Sequence, residues 1–134
     1  MSTAAEAPIN NNALTVLSED EEQFRAAVRE FAEGEVRPKV ETMEHNSKLD
    51  ADLIKQCFEL GLMAIESPEE YGGAGSSIFN AIIAIEELAR VDASVSVFVD
   101  VHNTLVTNAF LKWGSTDLKK KYMFRLFVDD AHGI

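Results

Sequence analysis

The segment from Val95 to Trp113 constrains the fold more than any other part of the 134-residue chain. On a helical wheel its apolar side chains cover more than half of the circumference, and only a narrow polar edge is left. That edge consists of Ser96, Asp100, Asn103 and Thr107. A helix that is apolar over so wide an arc needs neighbours on several sides. The segment therefore predicts a helix packed within a bundle.

The other helical signals surround this segment, and no part of the sequence alternates convincingly as a strand does. Ser18 and Glu21 form an S-x-x-E capping box that begins the first helix. Gly34 and Pro38 weaken its pattern, so a kink or a second short helix should follow. Further helices are expected over 50–60, 77–91 and 117–128, the last of them capped by Ser115 or Thr116. The predicted fold class is all-α, a bundle of five or six helices.

Three parts of unequal length are expected along the chain. Residues 1–16 are small and polar and predict a disordered arm, 17–128 form the helical domain, and 129–134 are a tail. Hydrophobic residues make up 46% of the sequence, which is enough for a real core.

Spacing within the helices predicts which side chains are buried. On the helix over 77–91 two apolar stripes are expected, one of Ile78, Ala81, Ile82, Ile85 and Ala89 and one of Phe79 and Ile83. Gly61 should end the preceding helix, on which Cys57 is expected to be a small core residue. His102 lies inside the apolar arc of the fifth helix, where a lone histidine is usually a hydrogen-bonded core residue.

Composition excludes several classes of partner. The formal net charge is −11, with 23 acids against 12 bases, which argues against nucleic acid and against anionic membrane surfaces. No apolar run approaches the ~18 residues of a membrane span. Cys57 is the single cysteine, so an intramolecular disulfide and a thiolate metal cluster are excluded and a reducing compartment is expected. The first base is Arg25, so no targeting peptide is expected in this sequence, and a cytoplasmic location stays open.

The glycine-rich stretch Gly72-Gly73-Ala74-Gly75 has two interpretations. It resembles the start of G-x-G-x-x-G, but Ile78 stands where the third glycine belongs and no βαβ unit surrounds it. The alternative is a tight turn whose glycines take positive φ and allow close backbone packing. The local residues favour the turn.

Candidate catalytic and metal-binding groups do not assemble into a recognisable pattern. His45, His102 and His132 form neither H-x-x-x-H nor E-x-x-H, so no metal site is predicted. The adjacent Glu86 and Glu87 point about 100° apart on a helix, which favours ion pairing or solvation over acid–base chemistry. Lys119, Lys120 and Lys121 are expected to form a solvated face. No catalytic residue is therefore assigned.

Four motifs, in order, nevertheless carry a family resemblance. They are LSEDEEQFRAAVREFAEGEVRP, LGLMAIESPEEYGGAGSS, IEELARVDASVSVF and NTLVTNAFLKWGSTDLKKKY. Together they resemble the N-terminal helical domain of acyl-CoA dehydrogenases over about Leu17 to Tyr122. The segments VDASVSVF and NTL look most like the short/branched-chain members. Within that resemblance the glycine-rich stretch is a turn that joins two helices.

The resemblance implies a function and an assembly. Members of the family are FAD-dependent enzymes that desaturate an acyl-CoA thioester between Cα and Cβ. A glutamate takes the α-proton while a hydride passes from Cβ to FAD, and an electron-transfer flavoprotein accepts the electrons, usually in the mitochondrial matrix. The fold combines a helical N-terminal domain, a β domain and a C-terminal helical domain, mostly in homo-oligomers.

The resemblance also implies where the substrate is met. In the family the fifth helix lines the far end of the acyl pocket, which places Val97, Phe98, Val101 and Leu105 on the pocket wall. Plain core packing is the alternative for each of them.

The sequence departs from the family after Tyr122, where it reads MFRLFVDDAHGI rather than an L-P-x-L continuation into the β domain. The catalytic glutamate and most flavin contacts belong to the later domains, so these residues are expected to be inactive alone and to bind no FAD. Three hypotheses stay open: a truncated acyl-CoA dehydrogenase subunit, a non-catalytic helical interaction protein derived from this domain, or a small acyl-CoA or lipid-binding bundle.

Overall fold

Five continuous helical stretches make up the part of the chain that the computed structural model describes, which is Ala13 and residues 15–128. No strand occurs among these residues. The predicted all-α bundle is confirmed. The predicted arm at 1–16 lies largely outside the described residues and the predicted tail at 129–134 entirely so, and both stay predictions.

The first stretch combines two α-helices with an irregular segment between them. It consists of α1 (Glu19–Phe31), a π-helical segment (Ala32–Val36), a 3₁₀ turn (Arg37–Lys39) and α2 (Val40–Asn46). The predicted capping box is present, because the Ser18 N–H donates to Glu21 Oε2 at 2.7 Å and the Glu21 N–H donates to Ser18 Oγ at 3.3 Å. Pro38 lies near the start of the 3₁₀ segment, and the backbone stays helical through it.

The next helices are α3 (Ala51–Glu59) and α4 (Ile78–Ala89). Asp50 caps α3 through its side chain and Ser77 caps α4. Gly61 follows α3 with φ 72°, as expected of a helix stop.

The predicted apolar stripe of α4 is wrong in most of its members. Ile78 is 60% exposed, Ile82 is 46% exposed and Ala89 is also exposed, while Ile85 is only half-buried. The buried residues are Ala81, Ile83, Ala84, Glu87 and Leu88. This face carries the small alanines, which let α4 pack closely against both α1 and α5.

The long apolar segment forms one helical stretch, as predicted, with an unpredicted π-helical part. It consists of α5 (Ala93–Val101), a π segment (His102–Thr107) and α6 (Asn108–Trp113), and Asp92 caps its start. The polar edge faces inward, because Ser96, Asn103 and Thr107 are all buried.

The last helix is α7 (Thr116–Val128), whose start is capped by Ser115 Oγ, which accepts from the Leu118 N–H at 3.3 Å. It packs Met123 and Phe127 against Ala64 in a small cluster beside the main core. The main core is formed by side chains from the first four stretches, among them Val28, Ala32, Leu53, Leu88 and Val99, together with Leu62, Met63 and Ile65 from the segment between α3 and α4.

Candidate functional site

The glycine-rich stretch forms a closed turn after a short 3₁₀ segment (Glu69–Tyr71). A Cβ on Gly73 would lie 2.1 Å from the Ser67 carbonyl oxygen, and Gly75 has φ 59°. The backbone N–H groups of residues 73–76 donate to the carbonyls of Pro68, Ala64, Ser67 and Ile65, in that order. Those N–H groups are therefore already used, and this geometry matches the predicted tight turn rather than a phosphate cradle.

An apolar line runs along the outer side of the stretch 93–113. Val97 is 57% exposed, Val101 37% and Leu105 63%, and the three residues are spaced four apart. We call these three residues the outer line. Large apolar side chains so placed are unusual on a free surface and mark a face that meets something else.

The four residues predicted to line a pocket divide between two depressions. Val97, Phe98 and Val101 line a cleft of about 410 Å³ whose other walls are Ser94, His102 and Val106. Leu105 lies in a neighbouring depression with Thr104, Asn108 and Trp113 among its walls. Phe98 is half-buried and packs against the main core, so it joins the cleft to the interior.

His102 forms the inner end of the cleft and connects it to α7. Its Nε2 lies 2.8 Å from the Leu126 carbonyl oxygen, so Nε2 carries the proton and donates it. The Phe58 ring meets the imidazole edge-on, with ring centroids 5.6 Å apart. Burial lowers the pKa of His102, although the Leu126 carbonyl opposes that shift. The prediction of a hydrogen-bonded core histidine is confirmed.

Asn103 follows His102 in the chain, and its side-chain amide is fully hydrogen-bonded. It is 2% exposed, and its Oδ1 accepts from the Ile65 N–H at 2.9 Å. Its Nδ2 donates to the Leu62 carbonyl at 2.7 Å and to the Val99 carbonyl at 2.8 Å. On the helical wheel Asn103 lies on the polar edge, which by itself indicates no role for it. An amide in the middle of an otherwise apolar helix was the available signal.

Glu87 and Cys57, two further candidates from the sequence, have structural roles. Glu87 is 5% exposed and accepts two hydrogen bonds from Arg29, each of 2.8 Å, while its neighbour Glu86 is exposed. The Arg29 guanidinium lowers the pKa of Glu87. Cys57 is 1% exposed, and burial raises its pKa to about 12, as suits a core residue. The ion-pair and core interpretations of these residues are confirmed.

Neither a metal site nor a membrane span is found in the described part of the chain. Within it, His, Cys, Asp and Glu side chains nowhere gather in a group of three that could hold a metal ion. None of its helices combines the length and apolarity needed to cross a bilayer.

The described residues thus form an all-α domain with a line of exposed apolar side chains on the helical stretch 93–113. Residues 18–128 match the family model described as "Acyl-CoA dehydrogenase, N-terminal domain". The chain therefore belongs to the acyl-CoA dehydrogenase family, and the predicted resemblance is confirmed.

Named relatives agree with this assignment. The chain is 44% identical over 113 residues to a probable short/branched chain specific acyl-CoA dehydrogenase of Dictyostelium discoideum. The aligned residues make up 84% of this chain and 27% of that relative. It is 38% identical over 121 residues to the mitochondrial short/branched chain specific acyl-CoA dehydrogenase of Bos taurus, covering 90% of the chain and 28% of the relative.

A solved structure shows the same fold. Butyryl-CoA dehydrogenase from Megasphaera elsdenii superposes with a TM-score of 0.76 at 28% identity, over 84% of this chain and 30% of that one. The chain thus spans less than a third of the length of each of these three proteins.

Proposed function

We propose that this chain acts as the N-terminal domain of an FAD-dependent acyl-CoA dehydrogenase that desaturates short or branched acyl-CoA thioesters. Its contribution would be the wall of the acyl pocket and a packing surface, and these 134 residues alone would be inactive. The observation that carries the proposal is the outer line of Val97, Val101 and Leu105 above an inner polar edge. A hydrocarbon chain is the ligand expected here, because contact with it would remove these exposed apolar side chains from water.

The cleft suits the acyl part of a substrate and not the flavin. Its walls offer two polar side chains, Ser94 and His102, and the Nε2 proton of His102 is already donated to Leu126. The backbone N–H groups of the glycine-rich turn are also in use. These described residues therefore do not fit the phosphates of FAD, and no chemical step of the flavin is assigned to them.

The remaining parts of the proposal come from the family. Acyl-CoA would be the substrate, an electron-transfer flavoprotein the electron acceptor and a homo-oligomer the working assembly. The mitochondrial matrix is the proposed location, since the Bos taurus relative is described as mitochondrial.

The test substitutes Val101→Ala in a chimera in which residues 18–128 replace the matching segment of the Bos taurus relative. Trimming the wall would admit one or two more methylenes, each contributing ~0.8 kcal/mol when buried. We expect preference for longer acyl-CoA to rise about four-fold per methylene, measured as kcat/KM over a four-, six- and eight-carbon series. The purified 134-residue chain, which we expect to reduce no dye, is the blank.

Val99→Ala is the matched control, because Val99 is the same residue type two positions away and is fully buried. It should lower the thermal stability of the chimera through a cavity and leave the relative preference unchanged. A uniform loss of kcat/KM across the series in Val101→Ala would mean that Val101 packs only against protein and that the pocket assignment is wrong.

A further inference from the structure

The spacing of the outer line does not fit a regular α-helix. Each α-helical residue turns by about 100°, so a step of four overshoots one turn by about 40°. Val97, Val101 and Leu105 are two such steps, which would carry Leu105 about 80° away from Val97 around the axis. All three are nevertheless exposed, Val97 and Val101 at one depression and Leu105 at another.

The π segment His102–Thr107 reduces this divergence. A π turn closes an i to i+5 hydrogen bond and so contains one residue more than an α turn, which lowers the rotation per residue. The segment begins immediately after Val101 and includes Leu105. It therefore offsets part of the overshoot and keeps Leu105 closer to the line of Val97 and Val101.

Asn103 connects this segment to a buried run of the neighbouring chain. Its amide bonds to the N–H of Ile65 and to the carbonyl of Leu62, at the two ends of a run whose residues are at most 4% exposed. The same amide donates back to the Val99 carbonyl in α5. The start of the π segment is thus fixed on two sides, to the buried run 62–65 and to the preceding helix.

Thr107 shows that burial in this segment does not by itself require such contacts. It lies in the same π segment and is 1% exposed, yet among the described residues its Oγ1 has no hydrogen-bond partner. The full use of the Asn103 amide is therefore not a general consequence of burial in this segment.

We propose that Asn103 is a positioning residue: it holds the π segment in register and thereby places Leu105 on the wall that limits acyl-chain length. This inference rests on the proposed function, since it assumes that the outer line meets the acyl chain. Asn103 does not touch the substrate in this scheme and acts only through the backbone that carries Leu105.

The experiment uses the chimera described above and substitutes Asn103→Leu. Leucine keeps a similar volume and removes all three hydrogen bonds, which frees the segment to relax toward α-helix. Leu105 would then rotate off the line and open space beyond Val101. We expect the ratio of kcat/KM for eight-carbon over four-carbon acyl-CoA to rise, by about four-fold for each methylene admitted.

Thr107→Val is the matched control, because it removes a buried hydroxyl from the same segment without removing a hydrogen bond within the described residues. Its ratio should equal that of the unmodified chimera. All rates are read well below the unfolding transition of each variant. If Asn103→Leu does not fold, Asn103→Asp carries the test with the same expected direction. Aspartate keeps the volume and the acceptor for Ile65 but presents an oxygen to the two carbonyls.

The outcomes separate the two proposals. A merely structural Asn103 would lower the unfolding temperature and leave the ratio unchanged, and this result would overturn the inference. If Val101→Ala shifts the ratio while the Asn103 variant does not, only the positioning role fails. If Val101→Ala also leaves the ratio unchanged, the proposed pocket wall itself fails.

Discussion

The first helical stretch and the stretch 93–113 both contain a π segment, but they bury opposite kinds of residue. In the first π segment Ala32 and Val36 are fully buried, while Glu33 and Glu35 are exposed. In the second, His102, Asn103 and Thr107 are buried, while Leu105 is exposed. The first is an ordinary amphipathic arrangement, and the second is its inverse.

A helical segment that buries polar side chains and exposes apolar ones has requirements that an ordinary amphipathic helix lacks. Most buried polar groups find hydrogen-bond partners, and Ser96 and Asn103 both donate to backbone carbonyls, whereas Thr107 Oγ1 has no partner among the described residues. Exposed apolar side chains do not stabilise the isolated domain, so they indicate a role other than stability. Inward side chains of the second stretch should therefore govern stability, and its outward apolar ones should not.

The largest expected contrast is between Phe31→Ala and Leu105→Ala. Phe31 is 8% exposed at the end of α1, so its removal leaves a cavity and should lower the free energy of unfolding by about 3–5 kcal/mol. Leu105 is 63% exposed, and its removal should change that free energy by no more than about 0.5 kcal/mol. Urea unfolding of the 134-residue chain measures both, and equal losses would contradict the inverted arrangement.

A smaller effect is expected at the inner polar edge. The Ser96 hydroxyl donates to the Ile85 carbonyl at 2.8 Å and so joins α5 to α4. Ser96→Ala should lower the free energy of unfolding by about 1 kcal/mol. Ser94→Ala is the control, because Ser94 is exposed on the same helix and its removal should be nearly neutral. Indistinguishable urea midpoints for the two variants would show that the inner edge does not depend on this bond.

The smallest expected effect concerns how steeply the unfolding temperature depends on pH. Because burial lowers the pKa of His102, the unfolded chain takes up this proton at a higher pH than the folded chain does. The stabilising contribution is therefore complete above the ordinary histidine pKa of about 6.5 and is lost as the pH falls below it. His102→Gln should flatten the fall of unfolding temperature between about pH 7 and pH 5.

His45→Gln provides the comparison for this slope, because His45 is exposed at the end of α2. It should retain the slope of the unmodified chain. A slope that is unaffected by His102→Gln would assign the acid sensitivity to other groups.

Local signals in the sequence were sufficient for the helices and their ends. The capping box at Ser18, the stop at Gly61 and the cap at Ser115 depend on residues within a few positions of each other, so a single sequence contains them. The turn at Gly73 was also predictable, because glycine is required where backbones approach closely.

Tertiary contacts decided what the sequence could not predict. The buried side of α4 is the one that carries small alanines, because these let α1 and α5 pack closely against it. A prediction from hydrophobicity alone expects isoleucine to be buried before alanine and therefore selects the wrong side. The helical wheel grouped Ser96, Asn103 and Thr107 correctly on one edge, but it could not predict that this polar edge faces inward, because that depends on the backbone groups of neighbouring segments. The positions of the outer line came from family resemblance rather than from periodicity.

The burial of Cys57 makes the domain convenient for chemical labelling. Thiol reagents attack the thiolate, and a thiol with a pKa of about 12 that is 1% exposed supplies almost none at neutral pH. It is also the single cysteine of the sequence. A cysteine introduced at Val97 or Leu105 would thus be the one reactive thiol of the folded chain, and a fluorophore placed there would report directly on whatever approaches the outer line.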